Sequence, residues 1–252
     1  MQRLAGRSAF ITGSGAGIGR GIARALAREG ASVAIVDVDE TRARQTAAEI
    51  DAAGAGRALP IACDVADRGA VFDAMQRFVS HTGRLDVLVN NAAYFHYAPL
   101  VDMPEAIVQK MIAVGLLGAL WSTQAATPPL IAAGGGSIIN LSSVAVSFSI
   151  RNAAVYTSIK GALDALTRQQ AVELAAHGIR VNAIAPGPVE TPGAGSVIDA
   201  QGWQARRART PLQRLASVDE VGAAVAYLVS DDAASISGVT LKIDGGITIV
   251  GP

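Results

Sequence analysis

The segment YTSIK sets Tyr156 and Lys160 four residues apart, on one face if the stretch is helical. A tyrosine hydroxyl ordinarily titrates near 10, too high for proton transfer at neutral pH. An ammonium alongside stabilises the phenolate and brings it within use as a general base for an alcohol proton. Alone, Tyr-x-x-x-Lys is mostly a coincidence of a helix surface. Here only three of 21 basic residues are lysines (Lys110, Lys160 and Lys242), which hints that this position requires a compact charge. Thirteen residues before Tyr156, Ser143 closes GSIINLSS (136–143), where its hydroxyl could hydrogen-bond a carbonyl oxygen. The plainer role for Ser143 and Ser142 is that of a loop-capping serine.

A second constellation suits a dinucleotide. ITGSGAGIGRG places Gly13, Gly17 and Gly19 between an apolar run and a helical pattern. Glycines there permit a tight turn and let backbone approach a pyrophosphate at a helix N-terminus. Eighteen residues past Gly19, Asp37 ends SVAIVD. A carboxylate at that point accepts hydrogen bonds from the adenosine ribose hydroxyls and repels a 2′-phosphate. Neither Ser14 nor Val38 supplies a cation to neutralise such a phosphate, so NAD is favoured over NADP. Asp37 as a helix N-cap is compatible with that role.

These residues need a frame. Short apolar runs at 8–12, 32–37, 58–64, 85–91, 136–143, 179–187 and 239–246 alternate with helical patterns at about 39–53, 67–81, 104–132, 153–177 and 218–230. Runs that are apolar almost throughout, each separated from the next by a helix, predict a parallel, doubly wound α/β sheet covered on both faces. No linker, repeat or low-complexity tract interrupts residues 1–252, so a single domain is expected. The Pro/Gly-punctuated stretch at about 188–212 is the best candidate for a mobile substrate lid.

Composition narrows the function. Half the residues are apolar and the formal net charge is +0, with basic residues spread rather than clustered, which argues against nucleic acid or an anionic membrane as partner. No uninterrupted apolar stretch long enough to span a bilayer is expected, nor a signal peptide. The lone Cys63 cannot close an intramolecular disulfide and reads as a small buried hydrophobe, so a reducing cytoplasm fits. No metal-ligand cluster is read from the sequence.

Taken in order, TGSGAGIG at 12–19, Asp37, CDV at 63–65, NNA at 90–92, Ser143, YTSIK at 156–160, IRVNAIAPGPVET at 179–191 and IDGG at 243–246 resemble the short-chain dehydrogenase/reductase family along essentially the whole chain. The resemblance implies a seven-stranded Rossmann fold, a homotetramer, and hydride transfer at the carboxyl ends of the strands. By that likeness Tyr156 is the acid/base, Lys160 holds the nicotinamide ribose and lowers the tyrosine pKa, and Ser143 orients the substrate oxygen. The cofactor positions are Gly13, Ser14, Gly17, Ile18, Gly19, Asp37, Asp64, Val65, Asn91, Ala92, Tyr156, Lys160, Pro186, Gly187, Val189 and Thr191. One departure stands out: in VGLLG, Gly115 stands where the family carries an asparagine, the fourth member of its catalytic set.

The expected substrate walls are Tyr94, Phe95, Val144, Val146, Phe148, Pro188 and Trp203, which suit a hydrophobic secondary alcohol or ketone. His96 is expected in solvent, and Arg206, Arg207 and Arg209 on a solvated helix face rather than on an anion. The leading expectation is an NAD-dependent alcohol dehydrogenase or ketoreductase. Alternatives are a 3-oxoacyl thioester reductase, a dehalogenase-like relative working without cofactor, and a cofactor-binding protein with turnover impaired at Gly115.

Overall fold

The computed structural model describes residues 2–54, 56–195 and 198–250. Seven strands form one parallel sheet: β1 (Ser8–Thr12), β2 (Ser32–Asp37), β3 (Arg57–Ala62), β4 (Val87–Asn90), β5 (Gly136–Leu141), β6 (Ile179–Pro186) and β7 (Thr240–Ile243), in the order β3-β2-β1-β4-β5-β6-β7. The chain winds outward in one direction from β1 to β3, then returns to β4 on the other side of β1. Ile11 pairs with Ile35 of β2 and Val89 of β4, so the order reverses at β1. In such sheets a crevice opens outside the carboxyl ends of the strands at the reversal.

Both faces of the sheet are covered. Consecutive side chains on a strand point to opposite faces, and neighbours Phe10 and Ile11 are 1% and 0% exposed. Ile11 packs with Ile22 and Leu26 of α1 (Gly17–Arg28) and Val225 of α9 (Val218–Val229). Phe10 packs with Phe78 of α3 (Arg68–Thr82) and Leu130 of α5 (Gly118–Ala132). Helices α2 (Glu40–Ala52), α4 (Glu105–Ile112), α6 (Ala154–Glu173), α7 (Pro192–Gly195) and α8 (Ala200–Arg209) complete the set. Burial of both faces is why the strands read as continuous apolar runs.

Two expectations need correction, and the candidate lid carries more regular structure than its sequence pattern showed. The strands stop short of the predicted runs at several carboxyl ends, because Cys63, Asn91, Ser142 and Gly187 have already left the sheet. The segment 188–212 contains two helices, and Asp199 caps α8 by accepting from the Gly202 N–H at 2.7 Å. Finally, Glu105–Ala132 is one helical run of 28 residues, long and apolar enough to cross a membrane by length and composition. In the fold its Met111, Ala126 and Leu130 are fully buried, and the run changes pitch to a π-helix over Ala113–Leu117, centred on Gly115.

Candidate active site

A cavity of about 1190 Å³ opens at the carboxyl ends of β1, β4 and β5. Every sequence-predicted cofactor and catalytic residue lines it except Ser14. The Ser14 side chain is buried; its Oγ donates to the Ile11 carbonyl at 2.7 Å and accepts from the Val36 N–H at 2.9 Å. It braces the turn from β1 and does not face the cavity.

The glycine turn forms an anion cradle. Gly17 opens α1 at φ +55°, and a Cβ on Gly19 would lie 2.3 Å from the Gly13 carbonyl oxygen, so neither position accepts a side chain. The residue before the helix, Ala16, has no side chain with which to cap it. The first N–H groups of α1 are therefore left to an exogenous anion such as a pyrophosphate. Asn91, expected beside the ribose, borders the cavity but uses its amide to donate to the Thr12 and Gly13 carbonyls, both at 2.9 Å. It fixes the cradle to β4.

Asp37 stands where β2 ends. Its carboxylate accepts from the backbone N–H groups of Gly15 at 2.9 Å and Asp39 at 3.0 Å. The cap of α2 is Asp39 instead, accepting from the Arg42 N–H at 3.1 Å. Arg42 also lines this end of the cavity, a cation that Ser14 and Val38 gave no hint of. Its Nε is held by Asp39 at 3.1 Å.

At the other end, α6 carries Tyr156 and Lys160 on one face. The Lys160 Nζ lies 5.7 Å from the Tyr156 ring centre and donates to the Leu141 carbonyl at 2.5 Å. Ser142 Oγ donates to the Lys160 carbonyl at 3.1 Å, pinning the end of β5 to the helix. Burial pushes the ammonium pKa down to about 8. Burial likewise raises Tyr156, while a hydrogen bond from Ser143 pulls the other way. Each group is poorly solvated alone, and a phenolate beside an ammonium offsets the cost of both. The capping role of Ser143 is real, since its Oγ accepts from the Ala145 N–H at 3.1 Å. That bond uses a lone pair and leaves the O–H free to donate.

Aromatic rings wall the space before Tyr156. Phe95 and Tyr97 stack at 6.1 Å, and both meet the Tyr156 ring edge-on, at 6.3 and 5.8 Å. Tyr97 escaped the sequence reading; burial, together with the proximity of Tyr156, pushes its phenol up to about 12. Tyr94, Val144, Phe148, Pro188 and Trp203 line the cavity as expected, whereas Val146 does not; His96 is exposed and off the cavity, as expected. Arg206 and Arg209 line it too, which the sequence placed on a solvated face; Arg207 points away to Glu190. Cys63 borders the cavity, but burial raises its thiol to about 11, so it is no nucleophile.

Among known proteins, residues 13–248 match the family model described as Enoyl-(Acyl carrier protein) reductase. The chain is 41% identical to a cis-4-hydroxycyclohexanecarboxylate dehydrogenase of Sinomonas cyclohexanicum, over 99% of both chains. It is 34% identical to the 3-oxoacyl-[acyl-carrier-protein] reductase FabG of Thermotoga maritima, over 98% of this chain and 100% of that one. The fold superimposes with a TM-score of 0.93, at 34% identity over 97% of this chain and 95% of the other, on a 7α-hydroxysteroid dehydrogenase complexed with NADH and 7-oxo glycochenodeoxycholic acid. Matched over nearly its whole length by that family model, by these reductases and dehydrogenases and by the NADH-bound structure, the chain belongs to the short-chain dehydrogenase/reductase family.

Proposed function

We propose that the chain is an NAD-dependent enzyme interconverting a secondary alcohol and its ketone. Tyr156 acts as acid/base, Ser143 holds the substrate oxygen, and Lys160 supplies the neighbouring charge. In the oxidative direction Tyr156 takes the hydroxyl proton while the C–H bond releases its electron pair as hydride and the C=O bond forms. The nicotinamide ring, when bound, provides the hydride acceptor. In reduction the same hydroxyl returns the proton to the carbonyl oxygen, and the Ser143 hydroxyl keeps that oxygen within reach.

The preference for NAD rests on Asp37. Its carboxylate is the acceptor that a ribose diol needs and the charge that a 2′-phosphate must avoid. Arg42 is the one lining cation at that end among the described residues, and Asp39 already engages it. Initial rates with NAD and NADP over a panel of secondary alcohols and ketones, alongside binding of each dinucleotide, test the reading. NAD should bind and turn over markedly better. A wild-type preference for NADP would overturn the charge argument, and binding without turnover of any substrate would overturn the dehydrogenase reading.

A further inference from the structure

The cavity is charged unequally along its length. Its two carboxylates, Asp37 at the end of β2 and Asp64 just after β3, lie on the dinucleotide side. The lining also carries Arg151, Arg206 and Arg209, of which Arg206 acts on the Tyr97 phenol beside Tyr156, and Asp37 and Asp64 are its only acidic residues among those described. Arg206 and Arg209 belong to α8, three residues apart and so on one face. Arg207, on a different face, is neutralised by Glu190. Neither Arg206, Arg209 nor Arg151 makes an ion pair within the described residues.

A basic last turn complements a helix dipole and needs no ligand to explain it. Arg206 goes beyond that. It is half-buried, its Nη1 donates to the Gly202 carbonyl at 3.0 Å, and its guanidinium lies 5.9 Å from the centre of the Trp203 ring. Its charge is felt by the phenol of Tyr97, whose ring stands 5.8 Å from that of Tyr156. One aromatic side chain therefore separates a partly desolvated, unpaired guanidinium from the proton-transfer group. A cation in that state is costly without a counter-charge. Arg151 sits on the loop that joins the same wall, where Asn152 accepts from the Ala98 N–H at 3.0 Å, next to Tyr97.

We propose that the substrate is a carboxylic acid, with Arg206 and Arg209 of α8 gripping its carboxylate from the lid side and Arg151 facing it across the rim. Its alcohol or ketone carbon sits at Tyr156, and an apolar ring or short chain spans the gap along Phe95 and Tyr97. A guanidinium fork is well matched to a carboxylate, and the pairing would draw α8 over the reacting carbon. The inference rests on the dehydrogenase reading for its reaction but not for its binding.

The test uses 4-oxocyclohexanecarboxylate and its methyl ester as paired substrates with NADH, on the wild type, Arg206→Met, Arg209→Met and the double variant. Calorimetric titration of cyclohexanecarboxylate into NADH-loaded protein accompanies it. The acid should exceed the ester in kcat/KM by at least about tenfold, as one charge-assisted hydrogen bond provides. That ratio should fall toward one in the double variant, and cyclohexanecarboxylate binding should weaken in parallel. Equal use of acid and ester, or an advantage that survives both substitutions, overturns the inference. So does a matching loss of NADH affinity, which would place the arginines on the pyrophosphate. In a protein that turns over neither substrate, the titration still decides whether the arginines hold a carboxylate, and the silence counts against the dehydrogenase reading alone.

Discussion

A Cβ placed on Gly115 would lie 3.0 Å from Cγ2 of Ile159, the residue that precedes Lys160. Gly115 is the centre of the π-helical turn Ala113–Leu117, so the long helix is opened at the position where the family resemblance calls for an asparagine. A π-turn leaves backbone carbonyls without their usual partners, and such turns gather at functional sites. A glycine at that opening leaves space beside the backbone. On the side facing α6, however, the Ile159 methyl stands where a side chain would begin. Gly115 thus also has a packing role against α6.

Restoring asparagine should therefore not be a neutral repair. Gly115→Asn forces the Ile159 side chain or α6 to shift, and overpacking of that kind costs about 1–3 kcal/mol. Trimming the neighbour in Gly115→Asn/Ile159→Ala should recover part of the loss, with a coupling above about 0.5 kcal/mol in a double-mutant cycle. Urea unfolding of the four proteins measures it. Additive effects would show that the two positions do not share one space.

Tyr156→Phe removes the transferable proton and keeps the ring edges against Phe95 and Tyr97. Turnover should drop by about 10²–10⁴-fold, the usual size of a general acid–base contribution, while NAD binding followed by fluorescence survives. Tyr97→Phe supplies the control. It removes a phenol that burial holds protonated, so its loss of turnover should be far smaller. Comparable losses in the two variants would mean that the proton path does not run through Tyr156 alone.

The strands were legible because burial on both faces leaves a run such as SVAIVD with no polar position to blur it. The glycine turn and the Tyr156–Lys160 pair were legible because their spacing is local. What escaped depends on contacts between segments far apart in the chain. Tyr97 lies in an irregular loop, positioned by the Ala98–Asn152 hydrogen bond and by Phe95, neither of which has a periodic signature. Ser14 looks like a loop hydroxyl free to meet a ligand until Val36, across the β1–β2 pairing, claims it. Helix α8 has no buried residue to print a period on the sequence. Only in three dimensions does Arg207 part from Arg206 and Arg209.

Asp37→Ala combined with Val38→Arg should reverse or narrow the cofactor preference. The substitution removes the ribose acceptor and places a cation on a residue that is 72% exposed, so the new side chain has room to reach a 2′-phosphate. Each half should act alone in the same direction. The ratio of kcat/KM for NAD to that for NADP reads the outcome, and an unchanged ratio in the double variant would put the discriminating contact elsewhere, with Arg42 the next residue to replace.

Lys160 gives a stability prediction whose sign can be worked out. In the cofactor-free fold its ammonium titrates near 8, against an ordinary 10.5, because it is buried. Between those values the unfolded chain holds a proton that the folded chain has lost. Stability therefore rises with pH through this window, by at most about 1.4 kcal/mol per pH unit. Below about 8 both states are protonated and the slope disappears. Three buried groups act oppositely at higher pH: the Cys63 thiol at about 11, the Tyr97 phenol at about 12 and the raised Tyr156 phenol stay protonated in the fold after the unfolded chain has released theirs. The net curve should rise just above pH 8 and turn down beyond about 9, the ordinary value of the thiol. Lys160→Met removes only the rising part. Urea midpoints for both proteins at pH 7.5, 8.5 and 9.5, subtracted pairwise, isolate the lysine, since the three opposing groups remain in each. A difference that grows in favour of the wild type from pH 8 upward is expected. Parallel curves would mean that the lysine keeps its proton in the fold, with solvent reaching the ammonium beside Tyr156.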